Sequence, residues 1–127
     1  MRVKCLVALT ALAALLVLSV PTFAHHGGAA YDMANPITLK GTVTDFRFMN
    51  PHSLVFFEVK NDKGEIEHWQ GELTAPNKLA RAGWTKHSLN AGDQVTITGA
   101  VGRNNAKALT IRKLIGPDGQ AMQLFEE

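Results

Sequence analysis

The chain has 127 residues, with 13 Lys+Arg against 11 Asp+Glu and a single cysteine, Cys5. That length supports one small domain with a modest core. One cysteine excludes a disulfide framework, and a net charge of +2 excludes the strongly basic field that nucleic acid or an anionic membrane surface would call for.

The first segment reads as a targeting signal. Arg2 and Lys4 give a positive start, Leu6 to Val20 is an apolar run broken only by Thr10 and Ser19, and Pro21-Thr22-Phe23-Ala24 supplies small residues at the two positions a signal peptidase inspects. The run is 15 residues, short of the roughly 20 that a membrane-spanning helix needs, so no membrane span is expected after processing. Residues 1–24 are therefore expected to be a cleavable signal helix, with a cut between Ala24 and His25; an uncleaved anchor is the competing reading. Removing 24 of the 127 residues leaves 103, takes Cys5 away, and lowers Lys+Arg to 11 by loss of Arg2 and Lys4, equal to the 11 Asp+Glu. The expected location is the bacterial periplasm or the medium, and nucleic acid is not an expected partner.

Residues 25–36 are Gly- and Ala-rich and end at Asn35-Pro36, an extended lead-in to a domain spanning 37–127. In "ITLKGTVTDFRFMN" the apolar positions Ile37, Leu39 and Val43 alternate, but Phe46 and Phe48 fall on the opposite parity. A phase flip in one continuous strand predicts a bulge between Gly41 and Asp45, and a strand bent enough to serve both halves of a barrel. Asn50-Pro51 stops it. "SLVFFEVK" and "EIEHWQGEL" flank Asn61-Asp62-Lys63-Gly64, a hairpin turn. If Lys60 faces Glu65, Val59 pairs with Ile66, Phe57 with His68, and Phe56 with Trp69. Val55, Phe57, Val59 and Ile66 then form the core face, with Phe56 and Trp69 together on the other.

"TAPNKLARAGW" carries the helix signal: Thr74 as cap, Pro76 in the first turn, Gly83 after the last, Leu79 inward and Trp84 over the exit. Gly92-Asp93 turns into a strand through Val95 and Ile97. "KALTIRKLI" follows with Leu109, Ile111 and Leu114 inward, and Gly116-Pro117-Asp118-Gly119 turns into a short edge strand within Gln120–Phe125. This order predicts a mostly β fold, a five-stranded OB-type barrel with one short helix between strands 3 and 4. A small β-sandwich is the rival architecture.

The chain also resembles a family of small exported bacterial proteins of unknown function. The residues carrying the resemblance are His25-His26, Gly41-Thr42-Val43-Thr44, Phe48 followed by Asn50-Pro51-His52, Trp69 with Glu72, Pro76-Asn77, Gly83-Trp84, and Ser88-Leu89 with Gly92-Asp93. Phe48 stands where many relatives carry Trp. The resemblance covers nearly all of residues 25–119; it implies a secreted OB-like domain and no established activity.

Candidate chemistry must then come from the residues. A cut after Ala24 frees an α-amine on His25, and that amine with the His25 Nδ1 closes a chelate ring on one metal ion. A third nitrogen from a distant histidine would complete an all-nitrogen site suited to copper, since Cu(II) binds such donors most strongly among divalent first-row ions. His26 offers a second route through the amine, its backbone nitrogen and its imidazole. Both need a deprotonated amine, of reference pKa about 8, so affinity should fall in acid. The competing reading is a terminal tail in which neither histidine acts.

His52, beside Asn50-Pro51 at a barrel rim, is the best third ligand; its competing role is to cap the turn. Glu72 at the end of strand 3 could orient that imidazole, or be a solvated strand end. His68 reads as a packed histidine, His87 as a solvated one, and Met33, Met49 and Met122 as scattered gap-fillers. Phe48, Phe56 and Trp69 could form an aromatic strand face that stacks a ligand, or ordinary core.

No thiol of the mature chain, nucleophile motif, phosphate loop or carboxylate pair assembles an enzyme. The sequence thus predicts a binding module for a metal ion, copper first, at His25, His26 and His52. The alternative is a metal-free module that binds a small ligand or another periplasmic protein through the aromatics.

Overall fold

In the computed structural model, residues 30–104 and 106–125 are described. The segment 1–24 and the pair His25-His26 lie outside them.

Among the described residues, six strands and one helix follow in the order β1 (Ile37–Arg47), β2 (Leu54–Lys60), β3 (Ile66–Glu72), α1 (Pro76–Arg81), β4 (Gln94–Val101), β5 (Ala108–Ile115) and β6 (Ala121–Met122). Strands β3-β2-β1-β4-β5 are neighbours in that order, all antiparallel, and a parallel pairing of β3 with β5 closes the ring. This is the expected five-stranded OB-type barrel, with α1 between strands three and four and β6 added on the free edge of β5.

β1 closes the barrel because it pairs on both sides. Its first half, Ile37 to Thr42, runs beside β4, and its second half, Thr42 to Arg47, beside β2. The register with β2 shifts between Val43 and Asp45. Thr44 is thus the extra residue, and the bulge carries the inward face from odd to even positions. Val43 is buried, and Leu39 on one side of the bulge and Phe46 and Phe48 on the other all pack against the core. A second shift lies opposite Thr98/Gly99 in β5, where Arg112 is the extra residue. It lets Leu109 and Ile111 on one parity and Leu114 on the other all face inward.

The β2–β3 hairpin differs from expectation by one residue. Lys60 pairs with Ile66, Val59 with Glu67, Phe57 with Trp69, and Phe56 with Gln70. The turn decides this. The Asn61 side-chain oxygen accepts from the amides of Lys63 and Glu65, the Asn61 amide donates to the Glu65 carbonyl at 2.9 Å, and Gly64 takes φ 81°. The loop therefore closes at Asn61 rather than Lys60. Because side chains alternate with period two, a slip of one residue turns all of β3 over. Val55, Phe57 and Val59 are core as expected, but Ile66 is 54% exposed. Phe56 points outward while Trp69 shares the inner face with Phe57, so the shared aromatic face expected of Phe56 and Trp69 does not exist.

α1 is capped at Ala75 without a side-chain hydrogen bond, so Thr74 does not act as the cap. Pro76 in the first turn supplies the start, since its missing amide hydrogen costs nothing there. With under two turns, the helix depends on packing. Leu79 is fully buried, and Trp84, 4% exposed, donates its Nε1–H to the Gln123 carbonyl at 2.6 Å.

Candidate functional site

His52 follows the cis Asn50–Pro51 peptide in the loop between β1 and β2. The Ser53 amide donates to the Thr74 carbonyl, and the Leu73 amide donates to the Ser53 carbonyl, extending the β2–β3 ladder beyond both strands. Ser53 is itself fully buried, with its hydroxyl unpartnered. Leu54 is the register partner of Glu72. His52 lies two residues before Leu54, on the same side of the strand, which sets it diagonally across from Glu72, within reach of long side chains.

The two side chains meet: His52 Nδ1 lies 2.5 Å from Glu72 Oε1, and His52 remains about half exposed. The other carboxylate oxygen, Oε2, accepts from the Tyr31 hydroxyl at 3.1 Å. A carboxylate facing Nδ1 places the proton of a neutral imidazole there. Nε2 is left with its lone pair, the arrangement seen when a histidine ligand is held by an outer carboxylate.

Tyr31 arrives from the lead-in. It bridges Gly102 at the end of β4, the Asp32 amide donates to Val101 O at 2.8 Å, and the Arg103 amide donates to Ala30 O at 2.9 Å. The Arg103 and Arg112 side chains add bonds to the carbonyls of Tyr31 and Met33. Burial pushes the Tyr31 phenol above its usual value, and the Glu72 charge and hydrogen bond push it the same way, so it remains a protonated donor. Sequence reasoning missed Tyr31. The available signal was that it is the chain's single tyrosine, standing directly after Gly27-Gly28-Ala29-Ala30.

The structure thus brings His52 and Glu72 together, and leaves Phe48, Phe56 and Trp69 apart from one another. Phe48 packs on Phe46, with ring centres 6.0 Å apart, and Phe46 packs on Trp84 at 5.7 Å. Phe56 lies outside beneath the Arg47 guanidinium. Trp69 donates to Glu67 and is flanked by Lys107, which is itself paired with Glu67 at 2.9 Å. His68 is not packed: it is exposed, opposite Glu58, and 3.5 Å from that carboxylate. His87 is exposed, as expected, and Met49 sits exposed in the His52 loop. Among the described residues no group of three or more His, Cys, Asp or Glu is arranged to hold a metal, and no helix is long and apolar enough to cross a membrane.

Residues 12–110 match a family of unknown function, DUF6152, and the chain belongs to that family. No curated protein matches. Among solved structures, the chain is similar to a tRNA fluorescent labeling enzyme (19% identity, TM-score 0.43) and to TiaS in a complex with a tRNA and ATP (20%, 0.44). Each likeness covers 65% of this chain and 18% of the other. A ZRD-deleted mutant of TiaS in complex with agmatine matches at 17% identity and TM-score 0.43, over 73% of this chain and 22% of that one. The chain thus spans about a fifth of these proteins, and likenesses of this grade bear on neither ligand nor activity.

Proposed function

We propose that the protein is an exported, periplasmic binding module that takes up a transition ion, copper first, through the mature amino terminus and His52. The observation that carries the reading is the Glu72 carboxylate bound to His52 Nδ1, because it leaves Nε2 as the available donor at an exposed rim. The lead-in supports it. Tyr31 is tied to the same carboxylate, and His25 and His26 stand only six and five residues before Tyr31. At no more than about 3.6 Å per residue, six residues reach roughly 20 Å, enough to meet an imidazole beside Glu72. An amine, the His25 Nδ1 and the His52 Nε2 would supply three nitrogens, a donor set that favours Cu(II).

Mature protein made with a native His25 start should bind Cu(II) as a 1:1 complex, measured by calorimetric titration against a competing chelator. Acetylating the His25 α-amine should abolish both amine chelates and weaken binding at least about tenfold, as should His52→Ala. Equal affinity of the native and acetylated chains would refute the reading.

A further inference from the structure

We infer that Tyr31 is a positioning residue of this site: through Glu72, its hydroxyl clasps the amino-terminal segment to the rim that carries His52. The inference rests on the metal-binding reading for its consequence, and on geometry for the clasp itself.

The segment's other hydrogen bonds to the barrel run to β4, to β5 and to the turn after β4. Asp32 bonds to Val101, Ala30 to the Arg103 amide, Tyr31 O to the Arg103 side chain, and Met33 O to Arg112. All of these hold the segment along the end of β4 and the middle of β5. Among the described residues, the Tyr31–Glu72 bond is the hydrogen bond that joins the segment to the β3 end, and it links positions 41 apart in sequence. It is part-buried, so water competes for it less than for a surface contact.

Glu72 divides its oxygens, Oε1 to the imidazole and Oε2 to the phenol. With both engaged, it acts on a bound ion through His52 and not as a ligand of its own. One carboxylate therefore orients the fixed donor and anchors the strand of chain that delivers the others. The clasp raises the effective concentration of the amino terminus at His52, in the way a short linker does between two binding groups. Loss of outer partners of this kind weakens metal affinity by about 10- to 100-fold.

The test is Tyr31→Phe in the full mature chain starting at His25, a change that keeps the ring and removes the hydroxyl. Without metal, amide hydrogen exchange at Asp32 and Arg103 should accelerate several-fold. With Cu(II), affinity should fall at least about tenfold. The copper EPR spectrum should also move toward that of His52→Ala, reporting a lost nitrogen that a merely structural residue would not remove. Unchanged exchange at both amides would overturn the clasp. Faster exchange with unchanged Cu(II) affinity and spectrum would overturn the positioning role. If the unsubstituted chain itself binds no Cu(II), the metal reading fails and takes the positioning role with it, whereas the exchange rates still decide the clasp.

Discussion

Gly41 lies where β1 passes from β4 to β2, with Val95 as its partner on the β4 side. A Cβ at Gly41 would lie 2.6 Å from the Glu58 carbonyl oxygen, 2.9 Å from Phe57 Cδ2 and 3.3 Å from Val59 Cγ2. Ordinary contact begins at 3.4 Å, so the first of these is about 0.8 Å too close. Glu58 lies in the β1–β2–β3 ladder, paired with Thr42 on one side and His68 on the other, so its carbonyl cannot retreat without straining both pairings. Overpacking in a core costs about 1–3 kcal/mol, and a backbone obstacle puts Gly41→Ala at the upper end, ~3 kcal/mol. The stiffer unfolded chain offsets about 0.4–1 kcal/mol, leaving a net loss of ~2 kcal/mol.

A domain of this size has ~5–14 kcal/mol in total. With an m-value of ~1–1.5 kcal/mol/M, the urea midpoint of the metal-free mature chain should drop by about 1.5 M. Gly71→Ala is the comparison, because there the obstacles at 2.6 and 2.9 Å are the Ile111 side-chain tip and its neighbouring carbon, which can turn aside. It should cost ~1 kcal/mol less. A Gly41→Ala midpoint within about 0.4 M of the unsubstituted protein would refute the close approach of β1 and β2 at this point.

Two further outcomes follow from the same packing. Leu79→Ala removes the fully buried anchor of α1 and should cost ~3 kcal/mol in urea unfolding; a loss below about 1 kcal/mol would mean the helix does not plug the barrel. Glu67 is held below the usual carboxylate range first by the Lys107 hydrogen bond and then by Trp69 Nε1–H, against a smaller opposing effect of burial. Its folded value being depressed, its contribution is present above the unfolded value of about 4.3 and lost as pH falls through the lower folded value. Glu67→Gln should therefore lower the thermal midpoint near pH 6 and flatten its fall below about pH 4.5; parallel curves for the two proteins would show that the carboxylate contributes nothing there.

The legible features were those whose cause is local. The parity change between Val43 and Phe46 announced the bulge at Thr44, because an extra residue is what carries an inward face across it. Pro76 and Gly83 bounded α1, one by its missing amide hydrogen and the other by a φ of 91°. The hairpin shows where this kind of reasoning ends. Asn61, Asp62, Lys63 and Gly64 marked the turn, but whether it closed at Lys60 or Asn61 depended on three hydrogen bonds to Asn61 and Glu65. That single step decided the face of Trp69 and Ile66. On the candidate site, a histidine after Asn50-Pro51 and a glutamate at a strand end were visible as separate residues. Their contact follows from the register of Leu54 with Glu72, which no property of either residue specifies.

By itself the sequence determined the strand order, the bent first strand, the short helix before β4 and the candidate ligands, since alternation, turn residues and caps act between close neighbours. The tertiary structure alone decided that one carboxylate serves both His52 and Tyr31. That meeting needs the lead-in laid beside β4, β3 closed against β5, and the β1–β2 loop folded over the end of β3. Each of these is a long-range pairing, stabilised by burial of the shared core, and none leaves a periodic trace along the chain.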